Sequence, residues 1–218
     1  MIMEKADNMS PEEVRAHFSA LNGTYHFARW GRPIVPVVFG VEDATLGVVK
    51  GAIEAMVTLA GHRMAETDPE LGANLMIFFL RDWAEVPQVP GMDGLVPDLG
   101  PLCERLAAAG AGHYRLFRFE PDGAIKAAFV FVRVAGELAE TPAEDLALNE
   151  AARVMLLWSE AAFAGTSPLG QAEGGRVLLR PEIGALIRAA YDPVLPRATR
   201  EASHAWRLAA RVGVVQGR

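Results

Sequence analysis

Leu75-Met76-Ile77-Phe78-Phe79-Leu80 is an uninterrupted apolar run. A run of six with no polar alternation predicts a strand buried on both faces rather than one with a wet side. Such a strand demands a large interior. The chain has 218 residues, 51% of them hydrophobic and 22% charged, enough to bury a sizeable core and too few for two large domains. At roughly 150 residues per domain, residues 1–218 read as one domain.

Composition excludes several functions. A net charge of −6 argues against a general nucleic-acid binder. One cysteine, Cys103, permits neither a disulfide framework nor a cysteine-rich zinc site. No apolar run reaches the ~18 residues of a membrane span. Met1 to Arg15 is polar and acidic without an apolar export segment, so the expected location is cytoplasmic. From Arg176 onward, eight Arg face Glu182, Asp192 and Glu201, a balance of +5 that leaves −11 for the rest. Helices with arginine on their wet faces account for that end; a phosphate-binding tail is the alternative.

Ser10-Pro11-Glu12-Glu13 predicts a capped helix over 11–21. Ile34 to Phe39 is β-branched, and Pro36 makes it an edge strand. Thr45 to Ala60 repeats apolar residues every 3.6 positions, a helix stopped by Gly61. Pro87 to Pro101, with four Pro and three Gly, predicts a long surface loop, followed by a short helix at 102–109. Tyr114 to Phe119 and Ile125 to Val134 flank Pro121-Asp122-Gly123, a hairpin signal. Thr141-Pro142-Ala143-Glu144 reads as a capping box opening a helix to about Phe163, with Gly165 as its stop. Gln171 to Gly175 is expected to be loop. Pro181 opens a helix that Asp192-Pro193 ends, and Thr199 caps the last helix, giving a helical C-terminal part over 181–212. The predicted class is α+β: a small mixed sheet, one early helix and a helical C-terminal half.

The helix after the hairpin is the informative one. Its projection puts Ala147, Leu148, Ala151, Val154, Met155, Trp158 and Ala162 on one broad apolar face. Leu146, Leu156 and Leu157 lie on the other side with Asn149, Glu150, Arg153 and Glu160, so the helix is expected to be largely buried. Glu150 and Arg153, three apart, are close enough to pair. A buried pair implies a cost of about 3–5 kcal/mol for Arg153→Ala; an exposed one is worth only ~0.3–0.5 kcal/mol.

A helix directly after a strand hairpin, carrying Asn149-Glu150-Ala151-Ala152-Arg153, resembles the active helix of zincin metalloproteases. Those carry His-Glu-x-x-His, two zinc ligands one turn apart with a Glu as general base. Trp30-Gly31-Arg32-Pro33-Ile34, Leu59-Ala60-Gly61-His62, Ala73-Asn74-Leu75-Met76-Ile77, Ile125 to Val132 and Arg188 to Leu195 occur in the order seen in an uncharacterised proteobacterial, zincin-like family. In that resemblance the Glu is kept and both ligands are gone. It implies a pseudoenzyme that binds no metal and needs no cofactor.

Three readings follow. In the first, a catalytically silent zincin-like domain holds a peptide or protein segment in the old cleft, with Asn149, Arg153, Tyr191 and Asp192 as binding residues. In the second, Glu150 is the base of a metal-independent hydrolase, aided by Tyr191 or Asp192. The third is a structural protein that self-associates through apolar helices. The five histidines, His17, His26, His62, His113 and His204, show no metal-ligand spacing. His204, on the last helix, is where a third zincin ligand could come from; the plainer reading is a surface histidine beside Trp206. No dinucleotide, Walker or serine-nucleophile motif is present. Cys103 is expected to be an inert buried thiol.

Overall fold

The structure is a computed structural model that describes residues 9–216. The readings of Met1–Arg15 as leaderless and of 1–218 as one domain fall partly on residues 1–8 and 217–218, outside the described residues.

The fold is α+β, built on a four-stranded mixed sheet. Its strands are β2 (Pro36–Phe39), β3 (Leu75–Leu80), β4 (His113–Phe119) and β5 (Ile125–Arg133), ordered β2-β3-β5-β4; β1 is the separate pair Phe27–Ala28. β2 and β3 are parallel, as are β3 and β5, while β4 runs antiparallel to β5. Pro36 does lie on an edge strand, where its missing N–H breaks no ladder. The apolar run is the central strand β3, and its alternation shows why no polar residue fits. Leu75 and Ile77 enter one core with Ala128, Val130 and Val132 of β5. Phe78 and Leu80 enter a second with Ala127, Phe129 and Phe131.

The first core is closed by helices. They are α1 (Pro11–His17), α2 (Asp43–Leu59), α5 (Ala143–Val154), α6 (Pro181–Ala190) and α7 (His204–Gln216). α3 (Met92–Leu95) and α4 (Leu99–Ala108) close the second, with a 3-10 turn at Trp83–Gln88. The expected loop at Pro87–Pro101 is therefore largely helical turns, and its Met92 and Val96 are buried. Pro101 is tolerated in the first turn of α4, where backbone N–H groups have no helical acceptor. Gln171–Gly175 joins a small antiparallel hairpin, β6 (Leu169–Gln171) and β7 (Val177–Leu179), and is not simply loop. Near the end, β8 (Ala198–Thr199) pairs with β1. Thr199 accepts a hydrogen bond from Glu201 N at 3.1 Å, and α7 begins later, at His204.

The capping box at Ser10 and Glu13 forms, but α1 stops at His17, short of Leu21. There Ser19 bridges to Tyr25 in a turn that drops Phe18 into the core. Segments 30–34, 73–77 and 125–132 meet at the buried Asn74. Its backbone carbonyl accepts from Ala128 N at 2.8 Å. Its amide donates to Pro33 O and accepts from Val35 N, each at 2.8 Å. His62 donates to Arg32 O at 2.9 Å nearby. Among the described residues no helix is long and apolar enough to cross a membrane.

Four arginines of the basic C-terminal segment face carboxylates. Arg180 lies 2.6 Å from Glu182, Arg211 2.7 Å from Asp192, and Arg197 and Arg207 3.9 Å from Asp122 and Glu201.

Candidate functional site

α5 ends at Val154, well short of the expected Phe163. It ends there because side chains from elsewhere take its last carbonyls. Trp30 Nε1 donates to Val154 O at 2.8 Å, the Tyr191 hydroxyl to Met155 O at 2.8 Å, and Trp158 Nε1 to Ala152 O at 3.2 Å. Helix ends leave four carbonyls unpaired, and these donors satisfy them without a glycine cap. The chain then leaves as extended backbone, with Leu156 bridged to Arg29. At the other end the capping box does not form. Pro142 occupies the N-cap, and the Thr141 hydroxyl donates back to Glu137 O at 3.0 Å.

Along α5 the three singled-out side chains are hydrogen-bonded in series. Asn149 Nδ2 donates to Glu150 Oε1 at 2.9 Å, and Arg153 Nε donates to Asn149 Oδ1 at 3.1 Å. The expected Glu150–Arg153 pair is absent. Glu150, 1% exposed, turns toward the sheet, where Arg115 Nη2 stands 2.5 Å from its Oε2. His113 Nδ1 lies 3.0 Å from Oε1, off the line of a good hydrogen bond. Burial pushes the Glu150 carboxyl upward, but the Arg115 charge and the His113 contact outweigh it and hold the pKa at about 2. Arg153 instead lies over the Phe163 ring, 4.7 Å from its centroid.

The strand supplying Arg115 explains the choice of partner. On β4, Tyr114 and Leu116 pack into the second core, while Phe117 packs into the first, on the α5 side. Arg115 shares the parity of Phe117, so it points at the helix and requires a carboxylate there. That parity was the available signal; a charged residue flanked by apolar ones on a strand need not be a wet one.

Asn149 and Arg153 line a cleft of about 430 Å³ between α5, the β6–β7 hairpin and the start of β4. His113, Asp145, Ser167 and Gln171 line it too; Glu150, Tyr191 and Asp192 do not. Tyr191 is buried beneath the Arg29 guanidinium, 5.3 Å from its ring centroid, and supports the end of α5. Asp192 pairs with Arg211. His204 is fully buried, with its Nδ1 2.8 Å from the Tyr25 hydroxyl, and so is no surface histidine. Burial, reinforced by Arg207, lowers its pKa to about 4.

The donor set does not suit zinc. Arg153 presents only N–H donors and Asn149 spends both its polar atoms on neighbours. Among the described residues no three His, Cys, Asp or Glu side chains gather as a metal site. The outer edge of β4 pairs with no strand among the described residues.

No family model matches the chain, and no similar curated protein or solved structure was found.

Proposed function

We propose that this is a zincin-like domain without metal chemistry that holds an extended peptide or protein segment along β4. The observation that carries this reading is that β4, whose outer edge pairs with no described strand, begins at His113 in the wall of the α5 cleft. A free strand edge offers a row of backbone donors and acceptors to an added strand, and the adjoining cleft offers side-chain selectivity. Asn149 and Arg153, one helical turn apart, face this cleft together, as two ligands of one metal would have to.

Less supports Glu150 as the base of a hydrolase. Glu150 is buried away from the cleft and engaged by Arg115, and a carboxylate held near 2 has little affinity for a proton at neutral pH.

Hydrogen exchange tests the peptide reading. Adding extended peptides should slow amide exchange within His113–Phe119; exchange unchanged there at saturating peptide refutes docking on this edge. The zincin-like geometry is tested separately by Asn149→His with Arg153→His, which places two imidazoles beside His113 in one cleft. Zinc binding by the double variant but not by the parent is expected, and its absence argues against the resemblance.

A further inference from the structure

Arg115 and Arg153 flank a single carboxylate, and only one of them pairs with it. Arg115 is matched to Glu150. Arg153 commits Nε to Asn149 and its flat face to Phe163, and no described carboxylate oxygen lies within 4.0 Å of it. Its terminal nitrogens, Nη1 and Nη2, make no described hydrogen bond. The three groups sum to one excess positive charge, half-buried in the cleft wall. Burial first, then Arg115, lowers the Arg153 pKa to about 10 against the opposing pull of Glu150, which leaves it cationic at neutral pH.

The cleft also has a direction. Asp145, Asn149 and Arg153 follow one line of α5, and eight residues span about 12 Å of helix. An anion is therefore attracted to the Arg153 end and repelled at the Asp145 end. His113, the first residue of β4, lines the same cleft. A strand added antiparallel to β4 brings its own C-terminus to the His113 end.

We propose that the terminal nitrogens of Arg153 bind a ligand's carboxylate, with Asn149 as the positioning residue, and that in a peptide docked on β4 this group is the C-terminal carboxylate. Two parallel N–H groups match the two oxygens of a carboxylate, and partial burial strengthens the pairing. Asn149 fixes the guanidinium by taking Nε, which leaves the end-on fork free. The direction of the peptide rests on docking along β4; the carboxylate contact stands without it.

Calorimetric titration of the full chain at neutral pH and low salt tests this with three probes. They are acetyl-alanine, the pentapeptide acetyl-Ala-Val-Thr-Val-Ala with a free carboxylate, and the same pentapeptide as its C-terminal amide. The free acid should bind at least roughly tenfold tighter than the amide, the factor expected of one charge-assisted pair. Arg153→Met should bring that ratio near one, Arg153→Lys should keep part of it, and Asn149→Ala should weaken the acid alone. Equal affinity of acid and amide for the unmodified chain overturns the proposal, and this comparison needs no variant to fold. No heat from any probe at millimolar concentration overturns it too, as does discrimination that survives in Arg153→Met. Arg153-dependent binding of acetyl-alanine, with the pentapeptide acid no tighter, supports the carboxylate site and removes docking on β4.

Discussion

Arg115 holds the Glu150 carboxylate, with Nη2 2.5 Å from Oε2, across a gap of 35 residues in the chain. The arginine three residues along the same helix does not. This cross-element pair joins the edge strand β4 to α5, and with it the two walls of the proposed binding site.

Removing Arg115 should therefore hurt more than removing Arg153. Arg115→Met strands a fully buried carboxylate and should cost about 3–5 kcal/mol. Arg153→Met loses one hydrogen bond and a ring contact and should cost about 1 kcal/mol. Urea denaturation of the two variants gives the comparison; a larger loss for Arg153→Met contradicts the assigned pairing.

Acid should destabilise the fold, with His204 and Glu150 among the groups responsible; burial also lowers the pKa of His17, His26 and His62, and that of Asp68 is held at about 2. The unfolded His204 titrates near 6.5 and the folded one near 4, so the unfolded state binds the extra proton between those values. Stability is then lost as pH falls through that window, by up to about 1.4 kcal/mol per pH unit. Glu150 follows lower down. Its folded pKa of about 2 lies below the ordinary 4.5, so its contribution is complete above 4.5 and drains away toward 2. Melting curves across pH 7 to 2 should show both limbs, with His204→Phe flattening the upper and Glu150→Gln the lower. A slope unchanged in either variant refutes that assignment.

Gly40→Ala should be strongly destabilising. Gly40 follows β2 with φ +80°, and an added Cβ would lie 2.0 Å from Phe79 O of the neighbouring strand. Backbone cannot yield as a flexible side chain can, so a loss of at least about 2 kcal/mol is expected. A melt within experimental error of the parent would show that the β2–α2 connection can move aside.

Cys103 should resist modification in the folded protein. Its thiol is buried in the second core, and burial raises its pKa. Alkylation by iodoacetamide should be slow in buffer and complete in denaturant. Equal rates would mean that α4 opens readily.

Where the deciding physics is local, residues alone were informative. The β3 run, the 3.6-residue period that became α2, and the Pro121-Asp122-Gly123 hairpin all lie where expected. The Pro87–Pro101 stretch departs from the expected loop because proline and glycine report only local backbone preference. They are silent about the sheet face that Met92 and Val96 cover. Of the proposed site, Asn149 and Arg153 could be placed on one helix line from their spacing, whereas Arg115 and His113 could not be assigned to that helix at all.

By itself, then, the sequence determined the α+β class, the buried central strand, the edge position of β2, and a helix carrying Asn149, Glu150 and Arg153. These follow from side-chain periods of 2 and 3.6 residues, which need no knowledge of distant chain. The tertiary structure decided where that helix stops, because its last carbonyls await Trp30, 124 residues away from Val154, and Tyr191, 36 residues from Met155. It also decided which arginine neutralises Glu150. A buried carboxylate pairs with the cation the packed sheet delivers to it, and that choice left Arg153 lining the cleft with no described carboxylate partner.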